Sequence, residues 1–409
     1  MSTNSTAACE EGFSCSFMLM KPQDVSFFNL LIYILFSNIF EDRRRVNSSR
    51  VSDESFGYRR LVIVSILLQK FLLRLAKPMD CLGSSIEFGL NLWSSNDGSL
   101  SSLIHNTIHG KLVIPDKTSQ NFSSIIGNVD KRQNLDSNIK PGDPRYNAAL
   151  SMMASKLSYE NKAHIEYTVT QLWKMEFLGF FEYWNDFQEK ATTQAFMMRD
   201  KGDDHDTIVV AFRGTLPFDV AAWCSDVDIS WYRIPKVGKV HGGFLKALGL
   251  QKSAGLPRDM IEEDIESKRP LPLAYYDIRE KLRDLLRQND KAKYVVTGHS
   301  LGGALAILFR AVLTLHEEKF LLERLEGVYT FGQPRVGDEK FGEFMKKEIT
   351  ENDIRYFRFV YCNDVVPRLP YDHKPLKFKH FGTCLHSDRN YRVKVHIFSI
   401  LSLFINTKV

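Results

Sequence analysis

From Pro144 onward the chain alternates between two hydrophobic periods. "RYNAALSMMASKLSYE" sets Ala148, Met152 and Leu157 at helical spacing, and "TTQAFMMRD" and "DTIVVAFRG" then predict two strands joined by the polar turn "KGDDH". "AYYDIREKLRDLLRQND" places Ile278, Leu282, Leu285 and Leu286 on one face of a helix. "KYVVTG" predicts a buried strand, and "GGALAILFRAVLTLHEE" a helix directly after it. "GVYTFG" and "YFRFVYC" predict two further buried strands, separated by the helical "DEKFGEFMKKEI". Strands alternating with helices imply an α/β fold with a largely parallel sheet.

The first 143 residues have a different texture. "FFNLLIYILF" (Phe27 to Phe36) is too short for a membrane span, which needs ~20 residues. "LVIVSILLQKFLLRLAKP" (Leu61 to Pro78) is longer but carries Lys70 and Arg74. Those charges at a bilayer centre would cost roughly 5–7 kcal/mol, about what a dozen apolar side chains return. Drawn as a helix, it gathers Arg59, Lys70, Arg74 and Lys77 on one face and Leu61, Val64, Leu68, Leu72 and Leu75 on the other. That pattern suits a helix lying in a lipid surface; the competing reading is a core helix ending before Pro78. "DRRRVNSSRVSDESFGYRR" reads as a solvated linker. The expected organisation is a lipid-surface anchor over 1–96, a polar linker with short strands such as "KLVIP" over 97–143, a catalytic domain over 144–385, and an atypical tail over 386–409.

Composition narrows the partners. A net charge of +5 over 409 residues is small, and no basic stripe marks a nucleic-acid binder. The six cysteines are scattered without a CxxC pair, so reduced thiols and no zinc site are expected. No other metal and no organic cofactor is expected either. The polar start carries no basic cluster, and no signal peptide is expected.

The candidate chemistry lies in "KYVVTGHSLGGALAILF". Gly298-His299-Ser300-Leu301-Gly302 is a G-x-S-x-G turn between a strand and a helix, which would lift Ser300 out of the sheet. The amide of Leu301 would then open a helix, where unpaired N–H groups favour a developing oxyanion. "VVAFRGT" offers a second donor at Thr215, with Gly214 allowing close backbone approach and Arg213 expected to pair structurally. A serine needs a base, and the base needs an orienting acid. Asp364 in "YFRFVYCNDVVPRLP" follows a buried strand and is the candidate acid, with Asp338 and Asp372 as rivals.

Five ordered motifs, "AFRGT", "KVHGGFLKAL", "TGHSLGGALA", "YTFGQPRVGD" and "YCNDVVPRLP", resemble the class 3 (fungal-type) triacylglycerol lipases of the α/β-hydrolase superfamily, closest to the plant oil-body branch. The resemblance runs from about the first apolar segment to "FKHFGTCL". It implies Ser300 as nucleophile, Asp364 as triad acid, and Thr215 and Leu301 as oxyanion donors. It gives His299 and His241 no triad role, places a lid over Pro217 to Trp231, and assigns the N-terminal apolar segments to holding a droplet surface. The implied partner is triacylglycerol or another acyl-ester lipid at a lipid droplet or cytosol-facing membrane. A phospholipase or galactolipase of the same fold stays open.

One element departs from the family. In the oil-body branch the catalytic histidine follows the "HFGTCL" strand, in an "AH" shortly before "DY", whereas this chain reads "HSDRNYRVKVHIFSILSLFINTKV". His373 lies close to Asp364 in sequence and His380 aligns with the family's strand, which leaves His386 and His396, the latter on a tail long enough to fold back over the site. The tail reads as a truncated or alternatively ended form, and the expectation is a weak or inactive lipase.

Overall fold

The computed structural model describes residues 26–28, 30, 56–251, 255–260, 269–372, 377–390 and 392–396. Most of the first apolar segment, and His373, lie outside them. The helices used below are α1 (Phe56–Ser95), α2 (Tyr146–Leu157), α3 (Val220–Val227), α4 (Gly242–Leu248), α5 (Ala274–Arg287), α6 (Leu301–Leu315) and α7 (Glu339–Glu351). The strands are β1 (Glu176–Asn185), β2 (Lys190–Lys201), β3 (Asp206–Phe212), β4 (Trp231–Ile234), β5 (Gly238–His241), β6 (Lys293–His299), β7 (Leu325–Phe331), β8 (Gly337–Asp338), β9 (Arg355–Tyr361), β10 (Phe378–Lys379), β11 (Thr383–Ser387) and β12 (Val393–His396).

Eight strands form one sheet in the order β1-β2-β3-β6-β7-β9-β11-β12. The five from β3 to β11 run parallel, flanked by antiparallel β1–β2 and β12. Both faces of the central strands are covered, which is why their sequences read as unbroken apolar runs. Ile208, Val210, Phe212, Tyr294 and Val296 point into a core shared with α4, α5 and α6. Val209, Ala211 and Val295 point the other way, against Leu150, Met153 and Leu157 of α2. This period-2 division puts the C-terminal ends of β3, β6, β7 and β9 along one edge, where open α/β sheets place their ligands.

A second sheet, β10-β8-β5-β4, packs beside it and was not foreseen; its strands are too short to show a period. Residues 97–143 hold the helices Leu100–Ile108 and Ile125–Val129 and, among the described residues, no strand. This corrects the strand expected at "KLVIP". There Asn96 satisfies the Val113 backbone from its side chain, accepting from the N–H at 3.1 Å and donating to the carbonyl at 2.9 Å, so no neighbouring strand is needed.

Helix α1 runs through Pro78 to Ser95 and does not end before it. Among the described residues no helix is long and apolar enough to cross a membrane. Its inner face is no free-standing anchor. Val62, Ile63 and Ile66 pack with Trp231 and Phe378, and the Ser65 hydroxyl donates to Val227 O at 2.6 Å. The outer face leaves Val64, Leu68, Phe71, Leu82, Ile86, Leu90 and Trp93 exposed.

Candidate active site

Ser300 stands between β6 and α6 with φ 54° and ψ −125°, a conformation that costs a non-glycine residue on the order of 1–3 kcal/mol. The neighbouring glycines make that turn physically available. A β-carbon on Gly298 would lie 2.2 Å from the Gly302 carbonyl carbon, and one on Gly302 would lie 2.2 Å from Phe212 O. The Ser300 N–H donates to Phe331 O at 2.8 Å, pinning the turn to the end of β7. Leu301 is the first residue of α6, so its N–H has no carbonyl one turn back within the helix.

The Gly214-Thr215 loop leaves the end of β3, the parallel neighbour of β6. Gly214 lies against the elbow, where a β-carbon would sit 2.5 Å from His299 O and 2.0 Å from the Tyr159 hydroxyl. Thr215 Oγ1 donates to Asp226 Oδ2 at 2.7 Å. Burial pushes the half-buried Asp226 up to about 7, against the pull of the Thr215 hydrogen bond and with the nearby Asp219 charge adding to the rise. Arg213 pairs structurally as expected, donating to Gln194 Oε1 at 2.8 Å and Asp219 Oδ2 at 3.2 Å.

Asp364 follows β9, two strands from β6 in the sheet. Its Oδ1 accepts from the Val366 N–H at 3.0 Å. Its Oδ2 faces Gly332, whose φ of 56° turns the chain after β7. A β-carbon at Gly332 would lie 2.8 Å from that oxygen and 3.3 Å from His299 Nε2, so glycine there lets the carboxylate and imidazole share one face of the elbow. Tyr159 OH and His299 Nδ1 are 2.7 Å apart. Part of His299 is open to solvent, yet the packed atoms around its ring lower its pKa, while the Asp364 charge pulls it upward.

The rival acids have other tasks. Asp338 caps α7, accepting from the Phe341 and Lys239 N–H groups at 3.0 Å each, and Asp372 is an exposed partner of Arg335 at 3.5 Å. His241 caps α4 through Nδ1 and stacks on Phe244, its pKa pulled down to about 4 by burial.

None of the described histidines beyond Asp364 bridges Ser300 and that carboxylate. His380 Nε2 meets Pro367 O at 2.6 Å, and burial holds its pKa well below the usual range. His386 Nε2 meets Cys362 O at 2.8 Å. The described part of the tail does not fold back over the site. Residues Val393–His396 extend the sheet antiparallel to β11, with His396 opposite Cys384. Four strand spacings of ~4.8 Å separate β12 from β6, roughly 19 Å, which is beyond an imidazole's reach. Tyr159 and Gly332 escaped the sequence reading because each meets a partner more than thirty residues away, and Asp226 because its bond to Thr215 spans a turn that no periodic pattern marks. Gly332 alone left a trace, in "FGQP".

A strained serine at the end of a central parallel strand, a helix N-terminus behind it and a carboxylate two strands away define a serine hydrolase of the α/β-hydrolase class. The sequence matches the family Lipase (class 3) over residues 209–374. It is 42% identical over 394 residues to Triacylglycerol lipase OBL1 of Nicotiana tabacum, covering 80% of this chain and 69% of that protein. It is 42% identical over 381 residues to Triacylglycerol lipase OBL1 of Arabidopsis thaliana, covering 86% and 73%. The crystal structure of a lipase from Rhizopus microsporus var. chinensis is 25% identical and covers 54% of this chain and 63% of that one, with a TM-score of 0.39. The chain belongs to the class 3 lipase family.

Proposed function

We propose that this protein is a triacylglycerol lipase, a serine hydrolase that cleaves acyl esters of neutral lipid at a droplet surface. The observation that carries the reading is Ser300, held at φ 54° where β6 meets α6. Its hydroxyl attacks the ester carbonyl, the N–H groups of Leu301 and Thr215 stabilise the oxyanion, and the alcohol leaves an acyl-serine that water then hydrolyses. Asp364 serves to orient an imidazole that takes the serine proton. Labelling with a fluorophosphonate probe, with Ser300→Ala as control, tests the assignment; equal labelling of the two proteins would end it.

A second reading concerns the strength of this activity. His380, His386 and His396 have other partners or positions, so among the described residues none of the three serves as the base. Without it, oxyanion donors and binding leave only roughly 10³–10⁴-fold over water. The droplet location is supported by the outer apolar face of α1 and by the names of the plant relatives.

A further inference from the structure

We propose that the cleft between the β4–β5 hairpin and α7 is a binding surface for anionic phospholipid headgroups in the monolayer that coats a droplet. The proposal rests on the surface-acting reading above and names what the protein recognises there besides neutral lipid.

The cleft has a volume of about 840 Å³ and is lined by the cations of Arg233, Lys236, Lys239, Lys340 and Lys347 against the carboxylates of Asp338 and Glu343. Asp338 Oδ1 accepts from the Lys239 and Phe341 N–H groups, and even with its charge counted the cleft holds five cations against two carboxylates. Arg233, Lys236 and Lys340 are exposed and form no ion pair among the described residues. Such a surplus of positive charge around a concavity attracts a multivalent anion or a charged surface.

The frame is rigid. The hairpin turns through Lys236 (φ 63°) and Gly238 (φ 129°), where a β-carbon on Gly238 would meet Asp338 Oδ1 at 2.5 Å. Lys340 and Lys347 lie seven residues apart on α7, two turns along one helix face.

Position favours a lipid surface over a soluble anion. The Lys239 ammonium lies 3.7 Å from the centroid of the Trp231 ring, and that ring packs with Val62, Ile63 and Ile66 on the inner face of α1. The cleft therefore borders the helix whose outer face leaves Val64, Leu68 and Phe71 exposed. An apolar face beside a basic patch supplies the two signals that stable attachment to an anionic surface requires. Each cation near such a surface contributes about 1 kcal/mol, roughly fivefold in affinity.

The test uses the full chain carrying Ser300→Ala, so that binding is read without hydrolysis. Flotation compares triolein emulsions coated with phosphatidylcholine alone and with added phosphatidic acid. The expected result is tighter binding to the acidic droplets, a preference reduced roughly 10²-fold by Arg233→Gln/Lys236→Gln/Lys340→Gln and fivefold by Lys236→Gln alone. The preference should also fade as salt rises, since the screening length falls to about 3 Å at 1 M. The single variant keeps the test decisive if the triple one does not fold. An undiminished preference in Lys236→Gln, or none in the parent, overturns the proposal. So does saturable binding of glycerol 3-phosphate or polyglutamate without any preference for acidic droplets, which would assign the cleft to a soluble anion or an acidic protein.

Discussion

The hydroxyl of Thr215 donates to Asp226 at 2.7 Å, tying the loop after β3, which carries the proposed oxyanion donor, to α3. The loop's orientation is thereby coupled to a carboxyl whose pKa burial pushes up to about 7.

A pH dependence follows from that bond. The folded protein holds a proton on Asp226 that the unfolded chain, with a pKa near ~3.9, has released, so its contribution to stability is full below about pH 4 and is lost as pH rises through about 7. Asp226→Asn should flatten that decline in melting temperature between about pH 4 and 8. The same variant should remove a rise in the rate of Ser300 phosphonylation near pH 7, where the ionised acid accepts best from Thr215. A parallel pH profile in the two proteins would refute the coupling.

The elbow glycines make a steric prediction. Gly302→Ala places a methyl 2.2 Å from Phe212 O, and neither backbone can yield cheaply. The expected loss is about 1–3 kcal/mol of stability, a melting temperature lower by several degrees, and little remaining Ser300 labelling. A variant that melts and labels like the parent would show that the turn is looser than described.

The proton acceptor can be tested directly. His386→Ala and His396→Ala should each change ester hydrolysis by less than about threefold, because His386 is bound to Cys362 O and His396 lies on the outermost strand. Replacing the tail after Leu385 with the corresponding segment of a plant relative should raise the rate by at least about 10²-fold. Robust hydrolysis by the parent that disappears in either alanine variant would identify the base and sink this prediction.

Interfacial behaviour should depend on two faces of one helix. Deleting residues up to Asn96 would uncover Trp231 and Phe378, so it should lower the melting temperature as well as release a fluorescent fusion from droplets. Substituting Val64, Leu68 and Phe71 with serine touches only exposed positions and should release the fusion without that loss. Helix α3, which we propose acts as a lid, exposes Trp223, and covering such surface with lipid contributes about 25 cal/mol per Å². The rate on a short-chain ester should therefore jump as it passes its solubility limit; smooth saturation would argue against a lid.

The sequence by itself determined the parallel sheet and the elbow, because both are written in short-range periodicity. Unbroken apolar runs follow from burial on two faces, and Gly298 and Gly302 follow from a turn with no room for side chains. It also placed Asp364 just after a buried strand and drew the amphipathic α1. Only the tertiary structure decided what those pieces touch. Pro78 did not stop α1, whose inner face packs onto α3 and the second sheet. The "KLVIP" strand did not form, since Asn96 met its backbone needs. Tyr159 reached His299 across 140 residues, and Asp226 joined Thr215, through contacts that no local pattern records. Residues Val393–His396 paired with β11, because the hydrogen bonds of an open sheet edge compete for any extended segment near it.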